Sequence, residues 1–83
     1  MHYINFTQGV PALDRYEIKE LLLFAALAGR VLLENGAETY RTESTVDHIL
    51  KSRGVESVQT FVIPTAIFLS IEYNDELYSH IER

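Results

Sequence analysis

The sequence predicts an α+β fold in which a two-helix hairpin packs on a small antiparallel three-stranded sheet, in the order ααβββ. Residues 14–53 carry apolar side chains at helical spacing, in two stretches that end at Gly36 and Gly54. After Gly54 the apolar period falls to two, which is typical of half-buried strands. Because the connection between the helical stretches is short, we expect an antiparallel helix pair that covers one face of the sheet.

The first predicted helix begins at the N-cap residue Asp14, continues through Glu34 and stops at Asn35-Gly36. Glu17 stands three positions after Asp14, which is the pattern of a capping box, and Gly36 suits the left-handed conformation that closes a helix. One apolar face collects Ile18, Leu21, Ala25, Ala28 and Leu32. The opposite side is predicted to carry Leu23, Ala26 and Leu27. This helix is therefore either buried between the second helix and the sheet or equipped with a docking surface.

The second predicted helix runs from about Glu38 to Arg53. Its apolar stripe collects Thr39, Thr42, Val46, Ile49, Leu50 and the stem of Arg53, whereas the solvated side collects Arg41, Ser44, His48 and Lys51. Between the two lie Tyr40, Glu43 and Asp47, spaced i, i+3 and i+7, so their side chains line one edge of the helix. We expect Glu43 to be either an interface residue with a partner or a solvated helix carboxylate.

Three strands are predicted after Gly54. Ser57–Ile63 and Ala66–Tyr73 form the first two, with Pro64 at the break, and Asn74-Asp75 forms a tight turn before the third. The second strand places Ile67, Leu69, Ile71 and Tyr73 on one face, and the alternation continues in Leu77, Ser79 and Ile81. We therefore divide the chain into an N-terminal arm, residues 1–13, and one domain, residues 14–83. Because the sequence stops within strand-like residues, we expect a fragment of a longer protein, cut before its transmembrane helices.

Composition limits the classes of function. With 83 residues, 47% apolar and 23% charged, the chain is one folded domain. Twelve acidic against seven basic residues give a net charge of −5, which argues against nucleic acid as a partner. The N-terminus lacks a secretory signal pattern, and the apolar run of residues 21–33 is about 20 Å long as a helix, too short for a ~30 Å bilayer core.

Residue patterns for catalysis and metal binding are weak. The sequence contains no cysteine, and His2, His48 and His80 form no metal-binding pair on a helix, so we expect surface histidines, no metal and no cofactor. Ser44, Thr65 and Ser70 lack a nucleophile motif, and the glycines form no phosphate loop. The chain is therefore not predicted to be an enzyme.

Two contiguous motifs carry a family resemblance. Leu32 to Glu43 reads Leu-Leu-Glu-Asn-Gly-Ala-Glu-Thr-Tyr-Arg-Thr-Glu, and Pro64 to Ile71 reads Pro-Thr-Ala-Ile-Phe-Leu-Ser-Ile. Together with Gly54 after the second helix, they make roughly Leu21 to Tyr73 resemble the N-terminal soluble region of the threonine/serine exporter family. In that family the region precedes a bundle of transmembrane helices that export small amino acids or dicarboxylates, sometimes with a second small membrane subunit.

The resemblance implies an accessory domain of a bacterial exporter of threonine, serine or related small carboxylates. It would lie on the cytoplasmic side of the cell membrane and act in assembly, gating or substrate access. Expected partners are the transmembrane part of its own full-length protein or a second small membrane subunit, further copies of the chain, and a small amino-acid substrate. The candidate interface or substrate-access residues are Glu38, Tyr40, Arg41, Glu43, Asp47, Pro64 and Thr65. The alternatives are a free-standing dimeric module that binds a small ligand and, third, a hydrolase.

Overall fold

The computed structural model describes residues 12–83 and contains two helices followed by a three-stranded antiparallel sheet. The elements are α1 (Arg15–Glu34), α2 (Thr39–Ser52), β1 (Ser57–Ile63), β2 (Ala66–Tyr73) and β3 (Glu76–Glu82). The predicted α+β class and the order ααβββ are confirmed. His2 and most of the predicted arm lie outside the described residues.

Local interactions fix both ends of α1 as the sequence predicts. The Asp14 carboxylate accepts a hydrogen bond from the Glu17 backbone N–H at 2.8 Å, and the Glu17 carboxylate accepts one from the Asp14 N–H at 3.0 Å. Gly36 ends the helix with a φ of +88°, which a residue with a side chain rarely adopts. Leu13, just before the cap, is buried, and its N–H donates to the Tyr73 hydroxyl at 2.9 Å. The start of α1 is thereby tied to the end of β2.

The two hairpins of the sheet are closed at the break predicted at Pro64 and by the turn predicted at Asn74-Asp75. The strand order is β1-β2-β3, with Pro64-Thr65 and Asn74-Asp75 as two-residue connections. Asn74 and Asp75 have φ values of 52° and 63°, the paired positive values of a type I′ turn, whose twist matches that of the strands. The turn fixes the register that pairs Tyr73 with Glu76.

The helices cover one face of the sheet, α2 over β1 and α1 over β2 and β3. Between the layers lies a core whose largest fully buried side chains are Ile18, Thr42, Val46, Leu50, Val55, Ile67 and Ile71. The inward face of β2 is the predicted one, since Ile67, Leu69 and Ile71 are buried and Tyr73 is half-buried. Thr42 is accommodated because its hydroxyl donates to the Glu38 carbonyl oxygen at 3.2 Å.

The buried face of α1 differs in one position from the prediction. Ala26 is fully buried, although we expected it on the outer side with Leu23 and Leu27, which are indeed exposed. The reason is that α1 contacts α2 as well as the sheet, so its buried arc is wider than a single apolar stripe. The residues of α1 are small where the helix approaches α2 and the sheet most closely. These residues are Ala25, Ala26 and Gly29.

The alternation in β3 is confirmed, but its apolar residues face away from the helices. Leu77 and Ile81 are exposed, whereas the intervening residues Tyr78 and His80 are half-buried on the helix side. Register explains this, because Tyr78 pairs with the inward-facing Ile71, and paired residues share a face. The predicted surface position of His80 is therefore wrong, while His48 is exposed as predicted.

Gly29→Ala is expected to destabilise the domain. A Cβ atom at this position would lie 2.7 Å from Ile67 Cδ1 and 2.9 Å from Val46 Cγ2. Alanine favours a helix by about 1 kcal/mol over glycine, but overpacking costs about 1–3 kcal/mol, and branched Val46 has little freedom to turn aside. We expect a net loss of about 1 kcal/mol in the free energy of unfolding, and a Tm several degrees lower by circular dichroism. The exposed control Thr45→Ala should not lower the Tm, and an unchanged Tm for Gly29→Ala would contradict the packing.

Candidate functional site

The two sequence motifs meet at one end of the domain. There a cavity of about 320 Å³, here called the turn pocket, lies between the last turn of α1 and the β1–β2 turn. Its lining is Arg30, Leu33, Glu34, Pro64, Thr65, Ala66, Ile67, Glu82 and Arg83. The exposed residues Pro64 and Thr65 thus lie beside the helix that leads into the first motif. The fold brings together residues that are about thirty positions apart in the sequence.

A second concave surface, the α2–β1 groove, runs between α2 and the free edge of β1. It has a volume of about 510 Å³ and is lined by Tyr40, Glu43, Ser44, Asp47, Lys51, Val58, Gln59 and Thr60. The three edge residues predicted on α2, namely Tyr40, Glu43 and Asp47, therefore do share one surface. It is separate from the turn pocket, so the seven predicted residues do not form a single site.

Glu43 binds the edge of the sheet. Its Oε2 accepts a hydrogen bond from the Val62 backbone N–H at 3.0 Å. Val62 pairs with Ile67 at a position where the backbone groups point away from β2, so this N–H would otherwise face outward from an edge strand. Glu43 is half-buried and is therefore not the freely solvated carboxylate that was one of our two expectations.

The remaining groups of the α2–β1 groove carry both signs of charge. Lys51 Nζ lies 3.1 Å from Asp47 Oδ2, an i, i+4 pair on α2. Across the groove, the Thr60 hydroxyl oxygen is buried and has no hydrogen-bond partner among the described residues. A small molecule with an ammonium and a carboxylate group would find partners of opposite charge here.

Glu38 and Arg41 flank the groove on the surface. Glu38 is the N-cap residue of α2, without a side-chain capping bond, rather than a member of the first turn as the sequence indicated. Arg41 lies 3.9 Å from Glu38, and its guanidinium carbon is 5.8 Å from the centre of the Tyr40 ring. All three side chains are exposed, and surface pairs of this kind contribute little to stability. They are available to a partner.

Sequence reasoning missed a charge cluster under the turn pocket. Arg30 binds Glu34 at 3.1 Å and Glu82 at 3.0 Å, and His80 Nε2 lies 3.1 Å from the other Glu82 oxygen. The Glu82 side chain is only 13% exposed. The hydrogen bond from His80 is the largest cause that lowers the pKa of Glu82, and Arg30 lowers it further, although burial opposes both. The sequence contains one signal of this cluster: Arg30 is the single charged residue in the apolar run of residues 21–33, which indicates that it has a partner elsewhere in the fold.

Glu43→Ala should weaken the attachment of α2 to β1. The change leaves the Val62 N–H without its acceptor, which costs about 1 kcal/mol of unfolding free energy. Glu43→Gln retains an acceptor oxygen and should stay within about 0.5 kcal/mol of wild type. Urea denaturation measures the first effect, and amide hydrogen exchange at Val62 should accelerate in Glu43→Ala alone. Equal exchange rates in both variants and in the exposed control Ser44→Ala would refute this contact.

Glu82 should make stability depend on acid pH. Because its pKa is lower in the folded chain than the usual 4.5, its carboxylate stabilises the fold at neutral pH. That contribution is lost as the pH falls below about 4.5, through the folded-state pKa. Glu82→Gln should therefore lower the urea midpoint at about pH 7, and its difference from wild type should shrink towards about pH 3. Glu72→Gln, exposed on the other face of the sheet, is the control; a difference independent of pH would rule out this role of Glu82.

Among residues 12–83, neither helix is both long and apolar enough to cross a bilayer. The same stretch holds no group of three side chains suited to a metal ion. What the geometry offers is an open groove with mixed charge, a pocket beside an ion-pair cluster in which Glu82 is mostly buried, and exposed polar residues around them. These features suit binding of a partner or a small polar molecule.

Comparison with models of protein families gives a match. A family model described as "Putative threonine/serine exporter" (ThrE) matches residues 23–83, which include both sequence motifs, both concave surfaces and the whole sheet. No curated protein and no solved structure matches significantly. The family is one of transporters rather than enzymes, and exporters are membrane proteins. Because the match covers well over half of the sequence, the chain belongs to the threonine/serine exporter family.

Proposed function

We propose that this domain is an accessory part of a bacterial exporter of small amino acids or related small carboxylates. It docks, on the cytoplasmic side of the cell membrane, onto the transmembrane part of its own full-length protein or onto a second small membrane subunit. The observation that carries the proposal is an exposed apolar strip on α1, which no other segment of the described residues covers. In a chain of a transporter family, the membrane part is the natural partner for such a surface.

This surface, the α1 strip, consists of Tyr16, Leu23, Phe24, Leu27 and Val31, all exposed. At 100° per residue these positions fall within about 100° of arc, opposite the buried face. The strip follows the helix axis for roughly 22 Å. The most exposed members are aromatic, Tyr16 at 71% and Phe24 at 61%. Exposed apolar surface that is continuous over four turns is typical of a contact surface.

Charge favours a protein over lipid as the partner of the α1 strip. Besides Tyr16, the ionisable side chains within its arc are the carboxylates of Glu20 and Glu34. Lys19 and Arg30 lie beside its Leu23 edge, but Arg30 is already paired with carboxylates, and the chain as a whole has a net charge of −5. Helices that bind membrane surfaces carry lysine and arginine beside their apolar face, because lipid headgroups are often anionic. Among the described residues, the α1 strip has only Lys19 as an unpaired base beside it and carries carboxylates within its arc, so its aromatic and aliphatic side chains instead suit the apolar core of a protein interface.

The α2–β1 groove and the turn pocket are the two surfaces that we assign to gating or substrate access. Tyr40, Glu43 and Asp47 lie in the α2–β1 groove, and Pro64 and Thr65 lie in the turn pocket. Val62 uses one oxygen of Glu43, which leaves the other available to a donor on the membrane part or on an amino acid. A carboxylate at such a contact requires a donor, since an unpaired buried charge costs several kcal/mol.

The second candidate is a free-standing dimeric module that binds a small ligand. The observation in its favour is the α2–β1 groove, which has charges of both signs and about 510 Å³ of volume. Titration calorimetry with threonine or serine on the 83-residue chain tests it, because a free-standing sensor needs no membrane part to bind. A hydrolase, the third alternative, has no support in a transporter family.

Amino-acid efflux from cells that express the full reading frame tests the exporter role. Leu27→Lys removes an apolar contact of the α1 strip, and Glu43→Gln removes a charge while keeping the Val62 contact, so both should lower threonine efflux several-fold at equal expression. Neither should unfold the domain, because Leu27 is exposed and the amide replaces the carboxylate as acceptor. The exposed controls Thr45→Lys and Glu56→Gln should leave efflux unchanged.

Normal efflux in Leu27→Lys would contradict docking through α1, and normal efflux in Glu43→Gln would remove the functional role of that carboxylate. The reading frame gives an independent check. An exporter requires apolar segments of ~20 residues that span the bilayer, so a gene without any would favour the free-standing module.

A further inference from the structure

We propose that the outer face of the sheet is the contact surface of a homodimer, in which two copies of this chain pack sheet against sheet. The outer sheet face is defined by three cross-strand rows that point away from the helices: Phe61, Phe68 and Ile81; Gln59, Ser70 and Ser79; Ser57, Glu72 and Leu77. This inference does not rest on the export role.

The first row forms a continuous apolar band across the sheet. Phe61 pairs with Phe68 and Phe68 pairs with Ile81, so one large apolar side chain stands on each strand. The two phenyl rings are 5.9 Å apart and inclined by 42°. Phe61 is 60% and Ile81 59% exposed, although a bare sheet face is normally polar when it faces water. The band therefore has the composition of a buried surface.

The middle row explains why a second copy suits this face. Gln59, Ser70 and Ser79 can each donate and accept hydrogen bonds. A two-fold interface brings a surface against itself, so it needs groups that can pair with their own kind. A row of carboxylates or ammonium groups could not do this, whereas hydroxyl and amide groups can.

The charge distribution points to the same partner. The chain has a net charge of −5, yet Glu72 is the only charged residue in the three rows, and it lies in the row farthest from the phenyl rings. Two acidic copies can therefore meet through this face with little repulsion, which is not the case for the helix surface. A strongly basic partner would find only the carboxylate of Glu72 as an opposite charge in these rows, and a strongly acidic partner would find none.

The area is sufficient for a modest dimer. Three strands of seven, eight and seven residues form a face of roughly 23 by 14 Å. Covering it with a second sheet would bury on the order of 1,000 Å² in total, near the lower limit for specific interfaces. Two such sheets pack about 10 Å apart with strands inclined by about 30°. We expect a weak dimer that becomes stronger when the copies are held close together.

The α1 strip and the outer sheet face lie on opposite sides of the domain. α1 buries its inner face on the sheet, so the strip points away from the sheet, while the outer sheet face points away from the helices. One copy can therefore contact another through its sheet and a different protein through α1 at the same time. This separation allows the two contacts to be tested independently.

Cysteine cross-linking tests the dimer directly, because the chain contains no native cysteine. Ser70 lies on the central strand, close to any two-fold axis that pairs the two faces. We expect Ser70→Cys to give a covalent dimer with a short bis-maleimide, both in the 83-residue chain and in the full reading frame. Ser52→Cys, exposed at the end of α2, should remain monomeric. The proposal would be overturned if Ser70→Cys failed to cross-link. It would also be overturned if another segment of the full-length protein covered this cysteine and kept it from reacting with the maleimide.

Sedimentation equilibrium measures the strength of the contact. Phe61→Lys introduces a charge into the apolar band and should raise the dimer Kd at least about tenfold. Leu27→Lys, a matched change on the α1 strip, should leave Kd unchanged. Ile81→Lys, equally exposed on β3, should repeat the result of Phe61→Lys, and circular dichroism shows that each variant is folded. A wild-type chain that is monomeric at every concentration, or a dimer lost only in Leu27→Lys, would refute sheet-to-sheet pairing.

Discussion

The close approach of α1 to both α2 and β2 at Gly29 is the constraint on which the rest of the domain depends. The backbone of α1 is near Ile67 on the sheet and Val46 on α2 at the same point, so any side chain at position 29 would separate the layers. The neighbouring small residues Ala25 and Ala26 continue this contact along the helix. Because α1 packs this closely against the sheet, it covers β2 and β3, and α2 covers β1.

This arrangement determines where the concave surfaces form. α2 lies over an edge strand, so a groove remains between them, and Glu43 bridges it to an outward N–H of β1. α1 ends above the β1–β2 turn, which creates the turn pocket and places Arg30 over Glu82. A domain with only two layers also leaves its sheet covered on one side. Both the groove and the bare outer face are thus direct consequences of building the core from two helices and three strands.

The sequence was sufficient to predict what depends on neighbouring residues. Caps, turns and the change of apolar period define all five elements, because a capping box, a positive φ at Gly36 and a type I′ turn are local interactions. The position of Ala26 and the direction of Leu77 were not predictable in this way. Burial of Ala26 depends on the second helix, and the facing of β3 depends on strand register, where a shift of one residue exchanges the two faces. The Glu82 cluster joins residues over fifty positions apart.

The same distinction applies to the candidate site. Helical spacing placed Tyr40, Glu43 and Asp47 on one edge, and the structure agrees, yet spacing could not reveal the hydrogen bond between Glu43 and Val62. That bond changes how any effect of Glu43 on transport must be interpreted, because truncation would damage the sheet edge as well as remove a charge. Only a replacement that keeps the acceptor separates the two effects. Glu43 both fastens α2 to β1 and presents a second carboxylate oxygen to the groove. Because movement of either α2 or β1 changes the same hydrogen bond, this residue is well suited to transmit a contact at the groove into the sheet.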